Sequence, residues 1–232
     1  MTAKIVTVFN QKGGCGKTTI TMSLAGSMAK RGHRVLVVDM DPQGTASRWA
    51  SGKLNEFPAT VISLSPMEGQ MHREVQKFVE DYSLIFIDCP PSMNSVAPSS
   101  AMLISDLALI PIVPSPADIW AAAGAIKLSE QAQAINNTLT VRLVANMVQR
   151  STSLAKDLLD QLEEENPVPL LKATLGLRTS FRDSQIYGST VHVVPRAAAA
   201  VAEVEAMADE VLDLLKVPLI VKTPKKTKGA KK

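Results

Sequence analysis

The residues best suited to chemistry in this chain sit together in Asn10-Gln11-Lys12-Gly13-Gly14-Cys15-Gly16-Lys17-Thr18-Thr19. Glycines at 13, 14 and 16 let a backbone curl until several N–H groups face one point, a path that side chains would block. Such a ring of donors accepts a phosphate. The residues that follow suit the same ligand, because Lys17 offers an ammonium to the outer phosphates of a nucleotide and the Thr18 hydroxyl a ligand to Mg2+. Cys15 and Thr19 complete the nucleotide-binding stretch. A glycine-rich turn that merely joins a strand to a helix is the plain alternative.

Acids able to complete such a site stand at the ends of two apolar runs. Leu-Val-Val-Asp39-Met-Asp41-Pro and Leu-Ile-Phe-Ile-Asp88-Cys-Pro-Pro each read as a buried strand ending in a carboxylate. In open α/β sheets ligands bind beyond the carboxyl ends of the strands, so these acids face the same crevice as the loop. Asp88 suits a hydrogen bond from metal-bound water, since a buried aspartate without a partner is costly. Asp39 and Asp41 are both candidates for the site, Asp39 for the outer shell of the metal. Turn capping before Pro42 is the other use of either carboxylate.

A strand-turn-helix unit must position these groups, and the chain repeats that unit. Strands are predicted over 5–10, 35–39, 61–64, 84–88, 107–113 and 141–146, with further ones over 170–175 and 191–194. Helices are predicted over 17–31, 67–81, 95–105, 119–136, 153–165 and 197–215; the last carries Val201, Val204, Met207, Val211 and Leu214 on one stripe. Continuous apolar strands alternating with helices predict a single α/β domain, a mostly parallel twisted sheet flanked by helices.

Composition bounds the function classes. The chain has 232 residues, 46% hydrophobic and 20% charged, with no apolar run approaching the ~20 residues a membrane span needs. Two cysteines, Cys15 and Cys89, and an N-terminus without the pattern of an export signal fit a cytoplasmic location. Of the 25 basic side chains, seven lie from Lys216 to Lys232, where no acid occurs, so residues 1–215 carry 18 basic against 22 acidic groups. The expected organisation is a folded body over 1–215 and a basic, disordered tail over 216–232, a tail that favours polyanions.

The loop departs from the common G-x-x-x-x-G-K-[ST] pattern, with Gln11 at the first glycine and Lys12 ahead of the glycine pair. It resembles the deviant phosphate loop K-G-G-x-x-K-[ST] of the ParA/MinD ATPases. That resemblance runs from Lys4 to about Leu215 and implies ATP and Mg2+ as cofactors, ATP hydrolysis, and an ATP-dependent homodimer in which Lys12 crosses to the partner's phosphates. It further implies that Asp41, in D-x-D-P-Q, positions the attacking water, that Pro90, Pro91 and Ser92 form a second switch, and that Asn146 and Pro195 lie beside adenine. An exposed strand-end lysine, or an asparagine capping a turn, is the alternative at Lys12 and Asn146.

Subgroups of the family differ in what the dimer holds. The tail lacks the 3.6-residue apolar stripe of MinD-like membrane helices, so no membrane is expected. The resemblance is greatest to short partition-type members, ParF-like or McdA-like. These bind DNA over the nucleoid non-specifically and release it when a ParB-like or McdB-like partner stimulates hydrolysis. Arg178 and Arg182, with Lys172 and Arg150 as neighbours, match the region of the family's DNA-binding arginines, although ordinary surface charges would read the same. Membrane-associated positioning, an ATP switch without DNA affinity, and an electron-transfer relative of the nitrogenase iron protein are the alternatives. The cysteine positions, inside the loop and directly after Asp88, do not suit a shared cluster.

Overall fold

The computed structural model describes residues 2–92, 94–149 and 153–218. Its strands are β1 (Lys4–Val8), β2 (Val35–Asp39), β3 (Thr60–Ser63), β4 (Leu84–Asp88), β5 (Leu107–Ile112) and β6 (Thr140–Ala145). Its helices are α1 (Lys17–Arg31), α2 (Thr45–Ala50), α3 (Met71–Gln76), α4 (Ala97–Met102), α5 (Pro116–Gln133), α6 (Ser153–Glu165), α7 (Thr179–Ile186) and α8 (Ala198–Leu214). The strands form one sheet in the order β3-β2-β4-β1-β5-β6, every neighbouring pair parallel.

Alternate side chains of a strand face opposite ways, and both faces here are covered. Val6, Val8, Val37, Leu84 and Phe86 pack under Ile20 and Leu24 of α1 and Val204, Met207 and Val211 of α8. Ile5, Leu36, Val38, Ile85 and Ile87 pack on the other side with Met71 and Val75 of α3, Ala97 and Ala101 of α4, and Ala122 and Ala125 of α5. This double burial explains why the strands read as unbroken apolar runs. The register sets Val8 beside Asp88 and Asp88 beside Asp39, so three strand ends meet at one edge. The loop after β1 and both acids are placed there by the ladder alone.

Two predicted strands are corrected. Over 170–175 there are only isolated bridges, Leu143 with Leu170 and Val148 with Gly176. Leu171 N and Leu175 N donate to Leu143 O and Ala145 O of β6, but the pairing is interrupted between them, where α8 carboxylates intervene: Glu210 accepts from Lys172 N at 3.0 Å and Ala173 N at 2.9 Å, and Glu203 from Gly176 N at 3.0 Å. Residues 191–193 form a 3-10 turn with Val193 N donating to Thr190 O and Val194 N to Val191 O. Pro195 follows and has no N–H for a ladder. The helix predicted over 67–81 divides into a 3-10 turn at Ser65–Met67 and α3, with Gly69 between them. α2 and α7 were not predicted; with six and eight residues they are too short to show a helical period.

Candidate functional site

The loop between β1 and α1 is braced from two sides. Asn10 is buried; its Nδ2 donates to Pro111 O at 2.8 Å, and its Oδ1 accepts from Lys12 N at 3.0 Å. Asn146, just beyond β6, donates from Nδ2 to Cys15 O at 2.8 Å. Gly14 and Gly16 have φ of 78° and 90°, in the left-handed region that favours glycine. The turn therefore owes its shape to backbone freedom at 14 and 16 and to two asparagines, one just after β1 and one just after β6.

A substitution pair separates these contributions. A Cβ at Gly16 would lie 2.0 Å from Asn146 Nδ2, whereas one at Gly14 meets nothing within 4 Å. Gly14→Ala is expected to cost about 1–2 kcal/mol of backbone strain. Gly16→Ala adds the displaced buried amide, for a total of about 2–5 kcal/mol. Urea unfolding of the two variants checks the ordering, and equal midpoints would remove Asn146 as a loop brace.

Lys17, 6% exposed, opens α1, and its ammonium donates to Lys12 O at 3.0 Å, so it lies inside the curl of the loop. The helix N-terminus adds partial positive charge at the same point. Next to it Thr18 Oγ1 donates to Asp88 Oδ2 at 2.6 Å and Thr21 Oγ1 to Asp88 Oδ1 at 3.2 Å. Asp39 accepts from Asp41 N at 3.1 Å, Ser47 N at 2.9 Å and Ser47 Oγ at 2.8 Å. Both acids are fully buried. Burial pushes the Asp88 carboxyl up to about 7, Asp39 beside it adds to the rise, and the Thr18 hydrogen bond, the Lys17 charge and the Thr21 hydroxyl oppose it. A cation drawn to this point would favour the ionised form.

The donor set fits a hard divalent cation bound together with phosphate. A hydroxyl held by a buried carboxylate, with a second carboxylate on the adjacent strand, is the oxygen-rich surrounding in which Mg2+ keeps several waters and takes ligands from a nucleotide. Among the described residues no group of three His, Cys, Asp or Glu side chains could hold a metal unaided. Thr18 would supply the direct ligand, and Asp39 and Asp88 would order the water around it.

Asp41 is half-buried, and its Oδ1 accepts from Gln43 N at 2.9 Å, a turn contact. It also lines a cleft of about 410 Å³ with Met40, Pro90, Pro91 and Ser92, so both loops read as switches border one space. Pro91 lies against Gly13, where a Cβ would meet its Cβ at 3.8 Å. A larger cleft of about 610 Å³, lined by residues such as His33 and Tyr82, opens at the opposite, amino-terminal end of the strands and is remote from this chemistry.

Cys15 and Cys89 are buried at 1% exposure each, and burial is the main cause raising both thiols above their ordinary value. Neither thiol reaches the surface of the chain, as a cluster shared between two subunits would require. Of the cationic positions, Arg178 donates from Nε and Nη2 to Glu203 at 2.9 and 2.8 Å, while Lys172 and Arg182 are exposed. Pro195 is exposed in the turn before α8 and Asn146 is bound to the loop, so the structure does not bring those two together through any hydrogen bond among the described residues. Arg150 and the tail over 219–232 lie outside the described residues.

Sequence reasoning missed Thr21, Ser47 and Asp118, and gave Asn10, at the start of the loop, no bracing role. Asp118, in the first turn of α5, pairs with Lys12 at 2.7 Å. Ser115-x-x-Asp118 is legible as a helix cap, but nothing in the sequence points from it to Lys12.

Comparisons with known proteins give the family and the fold. The family model described as the CobQ/CobB/MinD/ParA nucleotide binding domain matches residues 6–191. The maintenance of carboxysome distribution protein A of Halothiobacillus neapolitanus is 31% identical over 206 residues, covering 88% of this chain and 94% of that protein. Protein ParA of Rhizobium radiobacter is 27% identical over 216 residues, with coverage of 88% and 94%. Among solved structures, an ATP complex of a McdA variant from Cyanothece has a TM-score of 0.76 at 12% identity, covering 95% of this chain and 99% of that one. The cell division ATPase MinD of Pyrococcus furiosus has a TM-score of 0.70 at 20% identity, covering 91% and 99%. Since one domain match runs from β1 through loop and acids to the turn before α8, the chain belongs to the CobQ/CobB/MinD/ParA family of nucleotide-binding ATPases.

Proposed function

We propose that this protein is a ParA-type positioning ATPase. It binds Mg-ATP, forms an ATP-dependent homodimer through Lys12, holds DNA non-specifically, and lets go when a ParB-like or McdB-like partner stimulates hydrolysis. Residues 1–215 supply the ATPase body and 216–232 a basic tail. The observation that carries the reading is the pair of lysines about the glycines, Lys17 within the loop and Lys12 at its edge, beside the hydrogen bond from Thr18 to the buried Asp88. The similarity to a carboxysome distribution protein and to ParA supports positioning as the use of the cycle, with a plasmid, chromosome or protein organelle as cargo.

Nucleoid association requires cations aligned along phosphates, each of them releasing counterions. Arg178 is engaged by Glu203, which leaves exposed Arg182 and Lys172 as the better candidates on the folded surface. No helix among the described residues is long and apolar enough to cross a membrane.

Retention of random-sequence DNA with ATP, with ADP and without nucleotide tests the proposal. Retention with ATP alone is expected, and equal retention in all three conditions, or in none, would overturn it. Arg182→Glu is expected to weaken retention and to flatten the dependence of log affinity on log salt by about 0.9 for each phosphate that the arginine neutralises. An unchanged slope in Arg182→Glu would remove this arginine from the DNA surface.

A further inference from the structure

The ammonium expected to reach a second subunit is held within its own. Lys12 Nζ lies 2.7 Å from Asp118 Oδ1, the lysine side chain 37% exposed and the aspartate 14%. Asp118 does not depend on that contact. It lies in the first turn of α5, its N–H donates to Ser115 Oγ at 3.2 Å, and the Ser115 hydroxyl donates to its carboxylate. A carboxylate in this position is also favoured by the helix dipole.

Loop and helix are in direct contact. A Cβ at Gly124 of α5 would fall 2.4 Å from Gln11 Oε1, so the helix rests on the residue before Lys12. Lys17 Nζ, meanwhile, donates to the main-chain carbonyl of Lys12. The lysine that grips phosphate in its own subunit is thus bonded to the residue whose side chain is to leave it.

We propose that Asp118 competes with the triphosphate of a second copy for Lys12, holding the ammonium back within the subunit and setting the threshold for dimerisation. The inference rests on the dimer reading given above and names its regulation. The exchange is close to balanced. An ion pair at this exposure is weak, Asp118 keeps its helix contacts when Lys12 departs, and the ammonium moves from one carboxylate to several phosphate oxygens. A small difference in phosphate charge therefore decides which partner wins, which is the property a nucleotide-dependent switch needs.

The test is dimer dissociation in the full chain, followed by light scattering over a protein dilution series with ATP and with ADP. It compares the wild-type protein, Asp118→Asn, Lys12→Ala and the double variant. Asparagine keeps an acceptor for Ser115 and removes the charge. Each dimer releases two such pairs, so a contact worth a factor of about three, counted twice, is expected to tighten the ATP dimer about tenfold in Asp118→Asn. Asp118→Ser, which also removes the charge, is expected to shift it the same way. In the Lys12→Ala background the asparagine substitution is expected to change nothing.

Unchanged or weaker dimerisation in both neutral variants, while the wild type dimerises with ATP, would overturn the competition and leave the dimer reading intact. An equal shift in the Lys12→Ala background would overturn it too. A wild-type chain that stays monomeric with ATP would bring down both.

Discussion

Lys17→Ala is expected to weaken ATP binding by well over an order of magnitude. The side chain is 6% exposed and opens α1 inside the glycine curl, with its ammonium on the carbonyl of Lys12. A phosphate bound there would be held by backbone N–H groups, the helix N-terminus and this one mobile charge. Truncating one member of a buried, hydrogen-bonded charge pair costs about 2–5 kcal/mol, so affinity should fall by roughly one and a half to three and a half orders of magnitude. Calorimetric titration with Mg-ATP provides the measurement, and a thermal melt of the free protein shows whether the variant is folded. Retention of near-wild-type affinity would remove the loop as the phosphate site, and the proposed cycle with it.

The second large effect concerns turnover. Asp41→Ala is expected to form the ATP dimer but to hydrolyse about 10²–10⁴ times more slowly, the range for loss of a group that positions or deprotonates the nucleophile. Asp41 lines the cleft shared with Pro90, Pro91 and Ser92, and it also accepts a hydrogen bond from Gln43 N at 2.9 Å. Asp41→Asn separates those duties, because an asparagine preserves the acceptor for Gln43 and lacks the carboxylate. If the role is chemical, phosphate release in Asp41→Asn should fall as far as in Asp41→Ala. Wild-type turnover in Asp41→Asn, or light scattering that finds Asp41→Ala monomeric with ATP, would reduce the residue to a turn cap.

These expectations divide by how each residue became visible. The loop, the strand-end acids and α1 were legible because short-range geometry dictates them. Glycines at 14 and 16 meet left-handed backbone angles of 78° and 90°, and apolar runs too short for helices become strands buried on both faces. The neighbouring of Asp39 and Asp88 followed less directly, since it needs β4 to lie between β2 and β1, an order that strand composition does not encode.

By itself, then, the amino-acid sequence determined the glycine-rich turn and the acids that end two apolar strands, each imposed within a dozen residues by backbone freedom and the end of a strand, and the alternation of such strands with helices determined the parallel architecture. Tertiary structure alone decided that Lys172 and Ala173 give their N–H groups to Glu210 of α8, that Arg178 is tied to Glu203 while Arg182 faces solvent, and that Lys12 meets Asp118. Each of those outcomes is a contact between residues distant in the chain, and charge pairing at long range depends on where the packed helices bring the carboxylates.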